Sequence, residues 1–93
     1  MNEYLKLGNE LILKDSKARE NHDTLFVYIE DKTIDFKKAY KLLSNQKNVE
    51  KITYHYYKAD LIFEGFTKIT SLQDDGYRII AVLKKEVDDN GEN

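Results

Sequence analysis

Two runs of residues, 24–29 (TLFVYI) and 77–83 (YRIIAVL), constrain the fold of this 93-residue chain more than any other feature. Large apolar side chains stand next to one another in both runs, so an extended chain would present them on two opposite faces. That pattern is typical of strands in the interior of a sheet, because both of their faces are covered. The sequence therefore predicts a sheet with these two runs at its centre.

Shorter runs on either side complete the predicted sheet. The chain contains no proline, so its turns must be built from Gly, Asn and Asp. Gly8-Asn9 is typical of a two-residue hairpin, and Gly65 indicates a bulge or bend that leaves residues 61–72 as one bent strand or two strands. The runs of strand-like composition besides the two central ones are 4–7, 10–13, 51–56, 61–66 and 67–72.

Residues 34–44 change to a helical period. Apolar side chains recur along one stripe of the predicted helix, and lysines lie off that stripe. Thr33 or Asp35 is the predicted N-terminal cap, and Ser44-Asn45 is the predicted end. The stripe consists of Phe36, Ala39, Tyr40 and Leu43. A helix of about three turns is unstable alone in water, so we expect it to pack on the sheet.

The predicted fold is therefore α+β, a mainly antiparallel β-sheet of five to seven strands with one short helix, in the order β-β-β-α-β-β-β-β. Residues 1–85 form the single predicted domain, and residues 86–93 (EVDDNGEN) form a flexible acidic tail. No internal repeat is visible in the sequence. The predicted core consists of Leu5, Leu11, Leu13, Leu25, Val27, Ile29, Phe36, Tyr40, Leu43, Ile52, Tyr54, Leu61, Phe63, Ile69, Ile79, Ala81 and Leu83.

Residues 14–23 (KDSKARENHD) contain one small apolar residue, Ala18, and are predicted to form a long polar loop or a short helical turn. Long connections in a small domain are usually functional or disordered. The tyrosine-rich run 54–57 is a second candidate contact region, either as a sheet edge or as a surface patch. The hypothesised protein-interface residues are Lys17, Arg19, Glu20, His22, His55 and Tyr57.

Composition argues against most enzyme classes. Without cysteine, the chain has no disulfide framework, no thiolate zinc site and no thiol nucleophile. His22 and His55 lack metal-ligand spacing, and neither a Gly-x-Ser-x-Gly elbow nor a phosphate-binding glycine loop is present. We expect no catalytic residue, no metal, no cofactor and no small-molecule substrate.

No apolar run approaches the roughly 18 residues of a membrane span, and the first ten residues do not resemble a secretory signal. We therefore expect a soluble protein, cytoplasmic when made.

The charge balance disfavours nucleic acid as a partner. The chain has 15 basic and 17 acidic residues, a net charge of −2, and four of the acids lie in residues 86–93. Residues 1–85 thus carry 15 basic and 13 acidic residues, or +2. Tyrosines flanked by lysines around residues 51–58 are able to stack bases, but the one-sided basic excess that phosphate binding requires is missing. Nucleic-acid binding is the third hypothesis, and it predicts salt-sensitive retention on a phosphate matrix.

The chain resembles small proteins encoded among the late structural genes of phages and prophages of Gram-positive bacteria. The resemblance covers almost the whole chain and includes an N-terminal hairpin before a "DTL" strand, here at 23–25, and the segment GFTKI at 65–69 before the final strand. The matching stretches are LKLGNELILKDSKARENHDTLFVYIE, FKKAYKLLSN, KITYHYY with DLIFEGFTKITSL, and DDGYRIIAVLKKE. The resemblance implies a tail-associated or other virion structural role, and it supplies no catalytic residues.

Two functions follow as expectations. The first is a non-enzymatic structural or assembly protein, a phage or prophage tail-associated component that contacts itself or other structural proteins as a homo-oligomer. The second is a small phage-encoded inhibitor or adaptor that binds one host protein. A structural subunit should self-associate or co-assemble, whereas an inhibitor should stay monomeric and bind one target.

Overall fold

A computed structural model describes residues 3–86 and shows eight strands and two short helices within them. The α+β class and the mainly antiparallel pairing are confirmed, but the prediction of five to seven strands and one helix is wrong. All of the predicted acidic tail except Glu86 lies outside the described residues. The elements are β1 (Tyr4–Leu7), β2 (Leu11–Lys14), β3 (Ser16–Asn21), β4 (Thr24–Ile29), α1 (Phe36–Leu43), α2 (Gln46–Val49), β5 (Lys51–Tyr56), β6 (Ala59–Glu64), β7 (Lys68–Asp74) and β8 (Ile79–Lys84).

The strands form two four-stranded antiparallel sheets. Sheet A has the order β2-β1-β5-β6 and sheet B the order β3-β4-β8-β7. The two apolar runs become β4 and β8, which pair with each other at the centre of sheet B, as predicted. The buried side chains of both sheets and of the helices belong to one core. In each sheet we call the face toward this core the inner face.

Each edge of sheet A continues directly into an edge of sheet B. Asp15, with φ of 50°, joins β2 to β3, and a segment beginning at Gly65, with φ of 89°, joins β6 to β7. Positive φ reverses the local direction of the chain, and here it turns a strand out of one sheet into the other. The strands β1–β4 and β5–β8 thus repeat one arrangement of hairpin, corner and hairpin. The two halves repeat the connectivity of the strands and not their sequence, so the repeat is not visible in the sequence.

The segment 14–23, predicted as a loop or a helical turn, is mostly the edge strand β3, and that prediction is wrong. Ser16 and Ala18 point inward and are buried, while Lys17 and Arg19 point outward. The alternation is hard to recognise in the sequence because the inward residues are small. Charged residues are common on edge strands because they discourage pairing with another chain.

Part of the predicted core is wrong in detail. Phe36 and Tyr40 are 44% and 54% exposed because α1 turns its Ala39 and Leu43 side toward the core. Leu61 is 52% exposed on β6, an edge strand of sheet A, although Phe63 on the same face is buried. Buried hydrophobic residues that the predicted core left out are Leu7, Ala18, Ile34, Ala39, Val49 and Phe66. The predicted cap Asp35 is confirmed, since its side chain accepts a 2.8 Å hydrogen bond from the Lys38 backbone N–H.

The first hairpin differs from its prediction by one residue. Leu7 pairs with Leu11, so the connection has three residues, 8–10, instead of two. Gly8 has φ of 65°, and a Cβ there would lie 3.0 Å from the backbone oxygen of Lys47. Glycine is required at this position by both its conformation and the close approach of α2.

Candidate interaction surface

Three of the four sheet edges are protected against pairing with another chain. β2 has only four residues and bends at Asp15 into the next sheet. β3 carries exposed Arg19 and Glu20 together with Lys17. β7 contains a register break between Ile69 and Ser71. Short length, charge and bulges are the devices by which soluble proteins protect sheet edges.

The fourth edge, β6, is neither short nor bulged, and its two charged residues, Asp60 and Glu64, lie on either side of an apolar centre. It is six residues long and pairs with β5 without a register break. Its two central residues are apolar and exposed, Leu61 at 52% on the inner face and Ile62 at 56% on the outer face. Phe63 is the one residue of β6 that is buried. A long and regular edge that is apolar on both faces is a template for strand addition.

Two backbone hydrogen bonds show which groups of β6 are free to accept a strand. The N–H of Gly65 donates to the oxygen of Glu50 at 3.2 Å, and that of Gly8 donates to the oxygen of Lys51 at 2.9 Å. Backbone polar groups alternate in direction along a strand, so those of Leu61 point toward β5. The N–H and C=O groups that point away from β5 are those of Asp60, Ile62 and Glu64.

The β5–β6 hairpin ends in a cluster of tyrosines. The rings of Tyr54 and Tyr56 lie 6.0 Å apart, and those of Tyr56 and Tyr57 lie 5.1 Å apart. Tyr57, in the two-residue turn, has φ of 62° and is 74% exposed. Tyr54 and Leu61 are paired on the inner face of sheet A, so this apolar surface continues outward from the core.

Tyr54 attaches the hairpin to the body of the protein. Its hydroxyl donates a 3.1 Å hydrogen bond to Glu3 Oε1, and Lys17 Nζ lies 3.8 Å from the same oxygen. Burial, reinforced by the hydrogen bond and the negative charge of Glu3, raises the pKa of Tyr54 to about 12. Besides its pairing with β1, β5 is thus tied to Glu3 at the base of the hairpin, while the tip extends beyond this contact.

His55 lies on the outer face of sheet A and is part of a local cluster. Its ring stacks on Tyr4 with centroids 4.7 Å apart, and its Nδ1 lies 2.7 Å from an Asp60 carboxylate oxygen. Asp60 is its direct cross-strand neighbour on β6. His55 therefore links β1 and β6 on the outer face, through its stacking on Tyr4 and its contact with Asp60.

The outer face of sheet B carries two aromatic rings covered by arginine. Arg19 lies over Phe26 at 4.8 Å, and Arg78 lies over Tyr28 at 4.7 Å from the ring centroid. Arg78 also lies 3.7 Å from Glu30. These are the only two arginines of the sequence. Because each guanidinium lies over a ring, the aromatic surface is shielded and does not offer bare rings for base stacking.

The hypothesised interface residues do not form one surface. Those of the segment 14–23 lie along β3 and in the turn that follows it, where His22 has φ of 58°. His55 lies on the outer face of sheet A, and Tyr57 lies at the tip of the β5–β6 hairpin. Sequence reasoning indicated the tyrosine-rich run but assigned Leu61 to the core and overlooked Ile62. The apolar run that contains them did not reveal that its strand is an edge.

Among residues 3–86, no three side chains of His, Cys, Asp or Glu come together as a metal-binding group. None of the helices in this part of the chain is long and apolar enough to cross a membrane. Comparison of the chain with protein-family models, with curated proteins and with solved structures gives no match.

Proposed function

We propose that this protein is a non-enzymatic assembly protein that binds other proteins by strand addition at β6. The observation that carries the proposal is the contrast among the four sheet edges, of which β6 alone is long, regular and apolar on both faces. A partner strand would bond to the free backbone groups of Asp60, Ile62 and Glu64. Leu61 and Ile62 would contribute apolar contacts on its two sides.

The resemblance to late structural proteins of phages suggests where such contacts are used. We propose that the protein is a tail-associated component of a phage or prophage, made in the cytoplasm and incorporated into the virion. Repeated protein–protein contacts are the main requirement of such a role, and an unprotected edge supplies one. Its partners would be copies of itself or other structural proteins.

The second candidate is a small inhibitor or adaptor that binds one host protein. The same edge supports it, because strand addition serves heterologous partners as well as identical ones. The two roles differ in stoichiometry. An assembly protein forms oligomers or larger species with its own kind, whereas an inhibitor remains monomeric until it meets its single target.

Photocrosslinking from β6 in the cell that makes the protein tests the docking role. A photoreactive phenylalanine analogue replaces Ile62, and the matched control replaces Gln73, an exposed residue on the bulged edge β7. We expect crosslinked products from position 62 and few from position 73. A ladder of multiples of the chain's own mass supports assembly, whereas one product with a different mass supports the inhibitor. Equal yields at the two positions would contradict docking at β6.

Light scattering over a concentration series supplies the second arm of the test. We expect Ile62→Lys to abolish any association of the wild-type protein, because it adds a charge to the centre of the edge. Gln73→Lys adds the same charge to a protected edge and should leave association unchanged. Association that survives Ile62→Lys does not depend on β6.

A further inference from the structure

We propose that the partner of β6 is β6 of a second copy of this chain, paired antiparallel about a two-fold axis with Leu61 opposite Leu61. This inference rests on the proposed docking role and names its occupant. Such a dimer joins two copies of sheet A into one continuous sheet of eight strands. The register follows from the direction of the backbone groups and from the charges along β6.

Backbone direction removes half of the possible registers. Only Asp60, Ile62 and Glu64 direct their N–H and C=O groups away from β5, so these even-numbered residues must face even-numbered residues of the copy. A register that pairs Leu61 with Ile62 of the copy overlaps all of β6. In that register the outward N–H and C=O groups of one strand face residues of the copy whose backbone groups point away, so they form no hydrogen bonds. Two registers remain that overlap five strand residues, one centred on Leu61 and one centred on Ile62.

The charges distinguish these two registers. Centring on Ile62 places Asp60 directly opposite Glu64 of the copy, and this happens twice in a symmetric dimer. Centring on Leu61 instead places Asp60 opposite Ile62, and at both ends it brings Lys58, the turn residue next to β6, beside Glu64 of the copy. Opposite charges across neighbouring strands stabilise pairing and like charges oppose it. The Leu61-centred register is therefore favoured.

The same register matches the hairpin tip to the corner of the copy. Beyond the ends of the paired strands, it brings the hairpin turn, where Tyr57 is 74% exposed, beside Gly65 of the copy. A Cβ built on Gly65 would meet no atom within 4 Å, so the space beside it is open. Because Gly65 has no side chain, the ring of Tyr57 has room to pack against this corner of the copy. On the inner face the register also brings Ala59 opposite Phe63 of the copy.

Single-cysteine variants test the register directly. The chain has no cysteine of its own, so Leu61→Cys and Ile62→Cys each introduce one thiol. Leu61 and its symmetry mate form a pair without mutual hydrogen bonds, for which the Cα atoms are about 4.5 Å apart, within the range of a disulfide. We expect Leu61→Cys to form a covalent dimer under mild oxidation and Ile62→Cys to stay monomeric on denaturing gels.

Exchanging the charges of Lys58 and Glu64 provides an independent test, because it leaves Leu61 and Ile62 at the centre of the proposed interface unchanged. Lys58→Glu and Glu64→Lys should each weaken dimerisation about tenfold, because either change turns two attractive pairs into repulsive ones. The double variant Lys58→Glu/Glu64→Lys restores opposite charges and should return the dissociation constant to near the wild-type value. Sedimentation or light scattering measures all four proteins at low salt.

Each outcome has a defined meaning. Crosslinking by Ile62→Cys without crosslinking by Leu61→Cys overturns the register, and failure of the double charge variant to recover overturns the Lys58–Glu64 pairing. A wild type that stays monomeric at all concentrations, with no disulfide from Leu61→Cys, overturns pairing with a second copy. If position 62 still photocrosslinks to a different protein in that case, the docking role survives and its partner is heterologous.

Discussion

β3 and β6 are both six-residue edge strands, yet they present opposite surfaces to solvent. β3 buries two small residues and directs long charged side chains outward, so a second strand would have to displace charge from its edge. β6 exposes a leucine and an isoleucine on its two faces. An unprotected edge favours aggregation, and the contrast between β6 and the other three edges is the basis of the docking role proposed above.

The largest effect is expected behind the β6 edge. Phe66, 1% exposed, packs edge-on against Phe63 with ring centroids 6.5 Å apart at the corner between the sheets. Phe66→Ala should lower the free energy of unfolding by about 3–5 kcal/mol, because it leaves a cavity in the core. Leu61→Ala, on the exposed edge itself, should cost less than about 1 kcal/mol. Chemical denaturation measures both, and equal losses would contradict the separation of folding from docking residues.

The second prediction removes the protection of β3. In Lys17→Ile/Arg19→Ile, the outward side chains become apolar and β3 comes to resemble β6. We expect light scattering to show association at lower concentration than for the wild type, with a smaller effect on stability than Phe66→Ala has. The matched control is Lys37→Ile/Lys41→Ile on the exposed side of α1, which adds equal apolar area away from any edge. If the two double variants associate equally, the association is due to added hydrophobic surface alone and not to the exposed edge.

The third prediction concerns the hydrogen bond between Tyr54 and Glu3 at the base of the hairpin. The pKa of Tyr54 is raised from 10 to about 12, so the stability it contributes is complete below pH 10 and is lost as the pH rises from about 10 to 12. Because the side chain is partly exposed, we expect a loss of about 1 kcal/mol over this range. Denaturation of the wild type and of Tyr54→Phe isolates this residue from the other tyrosines. The difference in unfolding free energy between the two proteins should shrink as the phenol ionises, and a constant difference would contradict the assignment.

The smallest effect is expected for reversal of charge on β3. Lys17→Glu/Arg19→Glu keeps the edge charged, so association through β6 should remain unchanged at moderate salt. The same concentration series measured by light scattering checks this. Loss of association in this variant would move the interface to β3 and restore the residues of the segment 14–23 as the contact surface.

The sequence predicts the centre of each element better than its place in the sheets. The adjacent apolar residues of 24–29 and 77–83 identify the interior strands of sheet B, because interior burial leaves a local signature. β3 could not be recognised in the same way, since its inward residues are a serine and an alanine and its charges resemble those of a loop. Leu61 and Ile62 have the composition of core residues, and only the arrangement of the strands shows that they lie on a sheet edge and remain about half exposed.

The repeat of hairpin, corner and hairpin has a consequence for the order of folding. Four strand pairs are hairpins between neighbours in the chain, but the pairs β1·β5 and β4·β8 join distant segments, as in Thr24 opposite Lys84. Hairpins form in about 1–10 μs, whereas distant pairings must first close long loops and are slower. The β5–β6 hairpin can therefore form before either sheet is complete, so the proposed docking strand would be exposed in the folding chain before β1–β4 and β5–β8 have joined.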